Sequence, residues 1–142
     1  MFVSSGPLLD RVDIQCEITP VPFKDIAKAA PGEPGANIRE RVIKAREIQA
    51  ERYKDYKGIH CNAQMSERMI HLFAEPDEAG MDMLRMAMER LSLSARAYSR
   101  ILKVARTIAD LAGCEHVETM HLAEAIGYRT LDRGDWAERG HI

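Results

Sequence analysis

Cysteine is scarce in this sequence of 142 residues, and long apolar runs are missing. The three cysteines, Cys16, Cys61 and Cys114, are odd in number and far apart. A disulfide framework is therefore not expected, and reduced thiols in a cytoplasmic protein are the natural interpretation. No run of 18 apolar residues is present, and the first residues lack a charged segment followed by an apolar one. The sequence thus predicts neither a membrane span nor a signal peptide.

An excess of charge of one sign is also lacking. The formal net charge is −2 and the sequence pI is about 6.2, so the total charge does not indicate a surface dedicated to nucleic acid or membrane. Hydrophobic residues make up 46% of the chain and charged residues 30%, as in ordinary globular domains. The length suffices for one domain with its own core.

The common catalytic and nucleotide-binding motifs are absent. The sequence contains no GxxxxGK[ST], GxGxxG, GxSxG, HExxH or CxxC pattern. A metal site could be sought at Cys114, His116 and His121, or at His60 with Cys61, but neither set gives four ligands at a recognised spacing. Scattered surface histidines are the favoured interpretation, and no metal site is predicted.

One segment near the start has the alternation of a strand. Val12, Ile14, Cys16 and Ile18 are separated by polar residues, which is typical of a half-buried strand. No second convincing strand follows, and a single strand leaves its backbone groups without partners. The strand's sheet is therefore either weakly formed or missing from this chain.

The remainder predicts helices. Prolines and glycines between residues 20 and 35 indicate a linker, with a short helix over Lys24 to Ala29. A long helix is expected from Asn37, where Glu40 three residues on resembles a capping box, with Gly58 as its stop. Four further helices are predicted, starting at Ser66, Pro76-Asp77, Ser94 and Thr119, with Gly113 ending the third. The predicted fold is mainly α, with a helix bundle in the C-terminal half and one N-terminal strand.

Two arginines are candidates for binding an anion. Arg11 lies in a turn before the strand, where an ion pair with Asp10 or Asp13 is the alternative. Arg96 lies in the first turn after the Ser94 cap, where its guanidinium and the free helix N–H groups can face one phosphate. From spacing alone, a surface arginine is favoured at that position.

Two repeating patterns have plainer explanations. The methionines from Met81 to Met88 have helical spacing, and a core stripe is favoured over a partner-binding groove. The helix after Ser94 carries four basic residues, and a solvated face is favoured over a DNA-binding surface. The four are Arg96, Arg100, Lys103 and Arg106.

Four stretches in order resemble the C-terminal part of magnesium-chelatase-like AAA+ ATPases, closest to the ComM-type competence branch. They read SGPLLDRVDIQ, GANIRERVIKAREIQAERY, CNAQMS and LSLSARAYSRILKVARTIADLAG followed by HLAEAIGYRTLDR, and they span 5–133. The resemblance implies that Arg11 is an arginine finger acting in trans on a neighbouring subunit's ATP site. It implies that Arg96 is the sensor 2 residue, which touches the γ-phosphate.

The resemblance also implies a division of the chain and a larger machine. Residues 1–22 would be the end of the ATPase core with its last strand, 23–62 a connector, 63–133 the helical lid and 134–142 a loose tail. The Walker A and B motifs would lie upstream in a longer protein, so hydrolysis of ATP with Mg²⁺ is not expected of this chain alone. The resemblance implies that the longer parent protein forms a homo-oligomeric ring, expected to be a hexamer, that moves DNA in competence or branch migration. The alternatives are the motor subunit of a magnesium chelatase and a non-enzymatic helical protein-binding module.

Overall fold

The computed structural model describes residue 8, residues 11–16 and residues 18–129. The predicted tail over 134–142 and the last residues of the lid lie outside the described residues. The described part of the chain forms six α-helices and one short 3₁₀ helix, without a strand. They are α1 (Phe23–Lys28), α2 (Gly35–Arg52), the 3₁₀ helix (Asn62–Gln64), α3 (Glu67–Phe73), α4 (Glu78–Leu91), α5 (Ala95–Leu111) and α6 (Thr119–Gly127).

The helices of the bundle begin at side-chain caps that the sequence predicts. The side chains of Ser66, Asp77 and Ser94 each accept a hydrogen bond from a backbone N–H in the first turn of α3, α4 and α5. Such a cap satisfies one of the N–H groups that a helix start leaves without an intrahelical partner. After α5 the chain turns at Gly113, whose φ of 72° favours glycine.

The predicted starts of α2 and α6 are wrong by one or two residues. Helix α2 begins at Gly35 because the carbonyl of Pro34 accepts the N–H groups of Asn37 and Ile38, so Asn37 already lies inside the helix. Helix α2 ends at Arg52, six residues before Gly58.

Helix α6 is capped by a pair of residues that the sequence analysis did not recognise. Glu118 is the N-cap and Thr119 the first helical residue. The carboxylate of Glu118 accepts the N–H of His121, and Nδ1 of His121 accepts the N–H of Glu118 at 3.0 Å.

The predicted strand over Val12 to Ile18 is not formed in the residues that the structure describes. The described residues contain no strand with which residues 11–16 could form the backbone hydrogen bonds of a sheet. The segment instead bonds to the end of α6, where the N–H of Gln15 donates to the carbonyl of Tyr128 at 2.8 Å. Local alternation cannot make a strand without a neighbour to pair with.

Helix α5 is the centre of the core. It buries a stripe of apolar residues against α3 and α6, Leu84 of α4 joins the same core, and Tyr53 closes the core from the end of α2. The buried α5 residues of this stripe are Ala97, Ile101, Leu102, Ala105 and Ala109. The methionines of α4 contribute partly, since Met83 and Met88 pack on the core whereas Met86 is 65% exposed.

Helices α1 and α2 are far less buried than the helices that follow them. Helix α1 buries no residue, and α2 buries only Ala45 and Gln49. The apolar side chains of Ile38, Val42 and Ile48 are substantially exposed. Among the described residues, no helix combines the length and the apolar character that crossing a bilayer requires.

Candidate functional site

A surface groove runs along one side of α5 and contains the predicted phosphate-binding arginine. Its α5 wall carries Arg96, Arg100, Lys103 and Thr107, spaced by four, three and four residues, so their side chains share one side of the helix. The opposite wall comes from other elements. These lining residues include Asp13, Ile14, Ala63, Glu67, Glu124 and Tyr128.

Arg96 occupies the position that the sequence predicts. It is the second residue of α5, and Ser94 caps that helix by accepting the N–H of Ala97 at 3.2 Å. The side chain of Arg96 is exposed. The first N–H groups of a helix lack intrahelical partners and carry the positive end of the helix dipole. An anion at this end of the groove would meet both the guanidinium and that dipole.

The remaining groups of the groove have structural partners. The Nζ of Lys103 donates to the carbonyl of Ala63 at 3.2 Å, and the hydroxyl of Ser99 donates to Glu67 at 2.7 Å. Arg100 forms an ion pair with Asp13 at 2.7 Å. Because Arg96 lies at the start of α5, it is the cation of this wall that we expect an incoming anion to contact first.

Arg11 lies on a segment that docks onto the bundle. Arg11 is exposed. Asp13, which the sequence offers as its ion-pair partner, is bound by Arg100 instead. The guanidinium of Arg129 donates to the carbonyl of Val12. The structure thus joins the segment that carries Arg11 to the helix that carries Arg96.

A buried polar cluster behind the groove fastens α2 to α5. Arg52, the last residue of α2, donates from Nη1 and Nη2 to the carboxylate of Asp110 at 2.9 and 2.7 Å. Asn62 donates to Asp110 at 2.9 Å and to Thr107 at 3.0 Å, and its side-chain oxygen accepts the hydroxyl of Tyr53 at 2.7 Å. We name Arg52, Tyr53, Asn62, Arg106 and Asp110 the polar lock.

Arg106 belongs to the polar lock, so the predicted solvated basic face is wrong at this residue. Its guanidinium lies 3.0 Å from Asp110 and donates to three backbone carbonyls, one at the end of α3 and two in the loop after α5. They are those of Phe73, Cys114 and Glu115. Its side chain is 3% exposed, so Arg106 is not available to DNA.

The surroundings of the lock shift its ionisation equilibria. Burial lowers the pKa of Arg106, whereas the hydrogen bonds that Arg52 donates to Asp110 raise the pKa of Arg52. Burial also raises the pKa of the Tyr53 phenol. Sequence analysis missed this cluster. The signal that it offered was Asp110, a carboxylate one helical turn after Arg106 in an otherwise apolar stretch.

A possible metal-binding set lies at the start of α6, away from the groove. Donor atoms of Cys114, Glu118 and His121 lie within 4.8 Å of one another. The capping box already uses the Glu118 carboxylate and Nδ1 of His121. Because Nδ1 accepts a hydrogen bond, the proton of the neutral ring lies on Nε2, whose lone pair is then not available to a metal. Glu118 and His121 serve the helix cap, and the thiol of Cys114 lies 4.0 Å from the carbonyl of Ala112.

Comparison with known proteins identifies the region. Residues 32–129 match the family model described as magnesium chelatase, subunit ChlI C-terminal. Over 130 residues the chain is 42% identical to the competence protein ComM of Haemophilus influenzae, covering 91% of this chain and 25% of the relative. It is 40% identical to the uncharacterized protein YifB of Salmonella typhimurium over 131 residues, with the same coverage of both chains. The uncharacterized protein Rv2897c of Mycobacterium tuberculosis is 38% identical over 125 residues, covering 88% of this chain and 24% of the relative. The chain therefore spans about a quarter of the length of these relatives.

Proposed function

The chain belongs to the family of the magnesium chelatase ChlI C-terminal region, and from this membership we propose that it is the helical lid of a ring-forming AAA+ ATPase. Arg96 acts as sensor 2 on the γ-phosphate of ATP, and Arg11 acts as an arginine finger in the site of the neighbouring subunit. The assembled ring uses ATP and Mg²⁺ to move DNA, in a role related to competence. The similarity to a competence protein supports this choice of substrate.

The observation that carries the proposal is the position of Arg96 at the capped start of α5. An exposed guanidinium beside the positive end of a 17-residue helix suits the spread negative charge of a transferring phosphoryl group. Its fork of donors favours bidentate contact with phosphate oxygens. The sequence has no glycine-rich phosphate loop, so Arg96 and Arg11 would complete a site built mainly by other parts of the protein.

A second candidate is the motor subunit of a metal chelatase, which the description of the matching family favours. The two candidates differ in what accelerates ATP turnover. DNA accelerates the first motor, and a porphyrin-binding partner subunit accelerates the second. A third candidate, a non-enzymatic module that binds another protein, would use the exposed Met86 beside Met83 and Ile126 between α4 and α6. This third candidate predicts that the protein keeps its full function when ATP turnover is abolished.

The test replaces Arg96 with alanine in the longer protein that joins this region to its ATPase core. We expect kcat for ATP to fall at least about 100-fold, as when a preorganised transition-state contact is removed. The midpoint of thermal unfolding should stay unchanged, because the side chain is exposed. Arg85→Ala is the matched control, since Arg85 is an exposed helix arginine that pairs with Asp82 at 2.8 Å. Equal turnover of the Arg96 and Arg85 variants would overturn the role of Arg96.

A further inference from the structure

We infer that residues 11–16 form a strap that holds the arginine finger on the lid, with Asp13, Arg100 and Arg129 as positioning residues for Arg11. The inference rests on the proposed function, because it concerns how Arg11 is presented. It adds a regulatory consequence: the nucleotide that one subunit senses at Arg96 would set the position of the finger that the same subunit offers to its neighbour.

The strap is fastened at three places between residues 12 and 15. The carbonyl of Val12 accepts a hydrogen bond from Arg129, whose residue is 1% exposed. Asp13 pairs with Arg100 of α5 at 2.7 Å, and the N–H of Gln15 donates to the carbonyl of Tyr128 at 2.8 Å. The first fastening lies one residue after Arg11, a Cα separation of about 3.8 Å. A movement of α5 and the end of α6 therefore carries the backbone of Arg11 with it.

The same helix carries the sensing residue. Arg96 and Arg100 are four residues apart on α5 and both line the groove. A phosphate that pulls the start of α5 through Arg96 would displace Arg100, and Arg100 would displace Asp13. The path consists of one helix turn and one ion pair, so it is short enough to transmit a change in lid position without a separate relay.

The strap itself is tested on the 142-residue chain by amide hydrogen exchange. Asp13→Asn should speed exchange of the Gln15 amide by about two- to fivefold, the range expected from one partly exposed ion pair. Asp13→Glu should restore most of the protection. Asp82→Asn, which removes another ion pair of 2.8 Å on α4, should leave exchange at residues 12–16 unchanged. A Gln15 amide that exchanges at the rate of an unstructured peptide in the unmodified chain would overturn the inference.

The regulatory consequence is tested in the assembled ATPase. Asp13→Asn should lower kcat about three- to tenfold through misplacement of Arg11 while KM for ATP stays constant. Asp13→Glu should recover kcat. If Arg11→Ala and Arg96→Ala both retain turnover, the proposed function itself fails. If they abolish turnover while Asp13→Asn frees the strap yet keeps the kcat and cooperativity of the unmodified ring, only the strap inference fails.

Discussion

Replacing Asp110 with asparagine should destabilise the protein more than any surface change of charge. The side chain of Asp110 is fully buried, and its carboxylate neutralises both Arg52 and Arg106, whose side chains are 12% and 3% exposed. Asparagine has nearly the same size but no charge. The variant therefore leaves two guanidinium groups in the interior without their counter-ion. The amide N–H groups of the new asparagine would also point at other hydrogen-bond donors.

The structure sets the expected magnitude. Removal of one partner from a buried ion pair costs about 3–5 kcal/mol. The slight exposure of Arg52 and the remaining amide oxygen at position 110 reduce the cost toward the lower limit. We expect a loss of about 3 kcal/mol in the free energy of unfolding, out of the roughly 5–15 kcal/mol typical of a domain. The midpoint of thermal unfolding should fall by about 6–12 °C.

Urea unfolding followed by circular dichroism measures this cost. Glu51→Gln is the control, because Glu51 pairs with Lys54 at 2.6 Å on the exposed surface and should contribute less than about 1 kcal/mol. Tyr53→Phe provides a milder change in the same lock, removing a single hydrogen bond to Asn62 at a cost of about 1 kcal/mol. It keeps the reasoning testable if Asp110→Asn does not fold. Equal stabilities of the Glu51, Tyr53 and Asp110 variants would refute the lock.

Two further predictions concern packing and pH. Gly80→Ala should destabilise by about 1–3 kcal/mol in thermal melts, because its Cβ would lie 2.6 Å from Cβ of Pro76. Gly127→Ala meets nothing within 4 Å and should cost nothing, so equal melting temperatures would contradict the clash. Burial raises the pKa of Tyr53. The stabilisation that arises from this raised pKa is fully present below the unfolded pKa of about 10 and is lost as pH rises toward the folded value. The loss of stability between about pH 9.5 and 11 should be shallower in Tyr53→Phe, and identical slopes would contradict that contribution.

Helix caps could be predicted from the sequence because they are local. The bonds of Ser66, Asp77 and Ser94 reach only three residues along the chain, so residue type and spacing suffice to identify them. The strand over Val12 to Ile18 could not be verified in the same way. Its alternation is equally local, but a strand depends on a partner strand that can lie far away in the sequence, and the described residues contain none.

The same difference between local and long-range determinants applies to the residues of the candidate site. The position of Arg96 in the first turn of α5 follows from the cap two residues before it. Arg106 has the spacing of a surface residue and yet is buried, because carbonyl groups from two other segments converge on it. Arg52 and Asp110 are 58 residues apart in sequence, and only the folded chain brings them together. Neither the periodicity nor the composition of the sequence indicates that these two side chains are in contact.

The two ion pairs that join α5 to other segments, Arg52–Asp110 and Arg100–Asp13, differ in expected strength. Asp110 holds α2 through an interior pair whose carboxylate side chain is 0% exposed, so separating α2 from the bundle would cost several kcal/mol. Asp13 is held by Arg100 through a pair whose carboxylate side chain is 50% exposed, so releasing it costs about 1 kcal/mol or less. The ion pair of the strap is therefore expected to open at a lower free-energy cost than the interior ion pair of the polar lock.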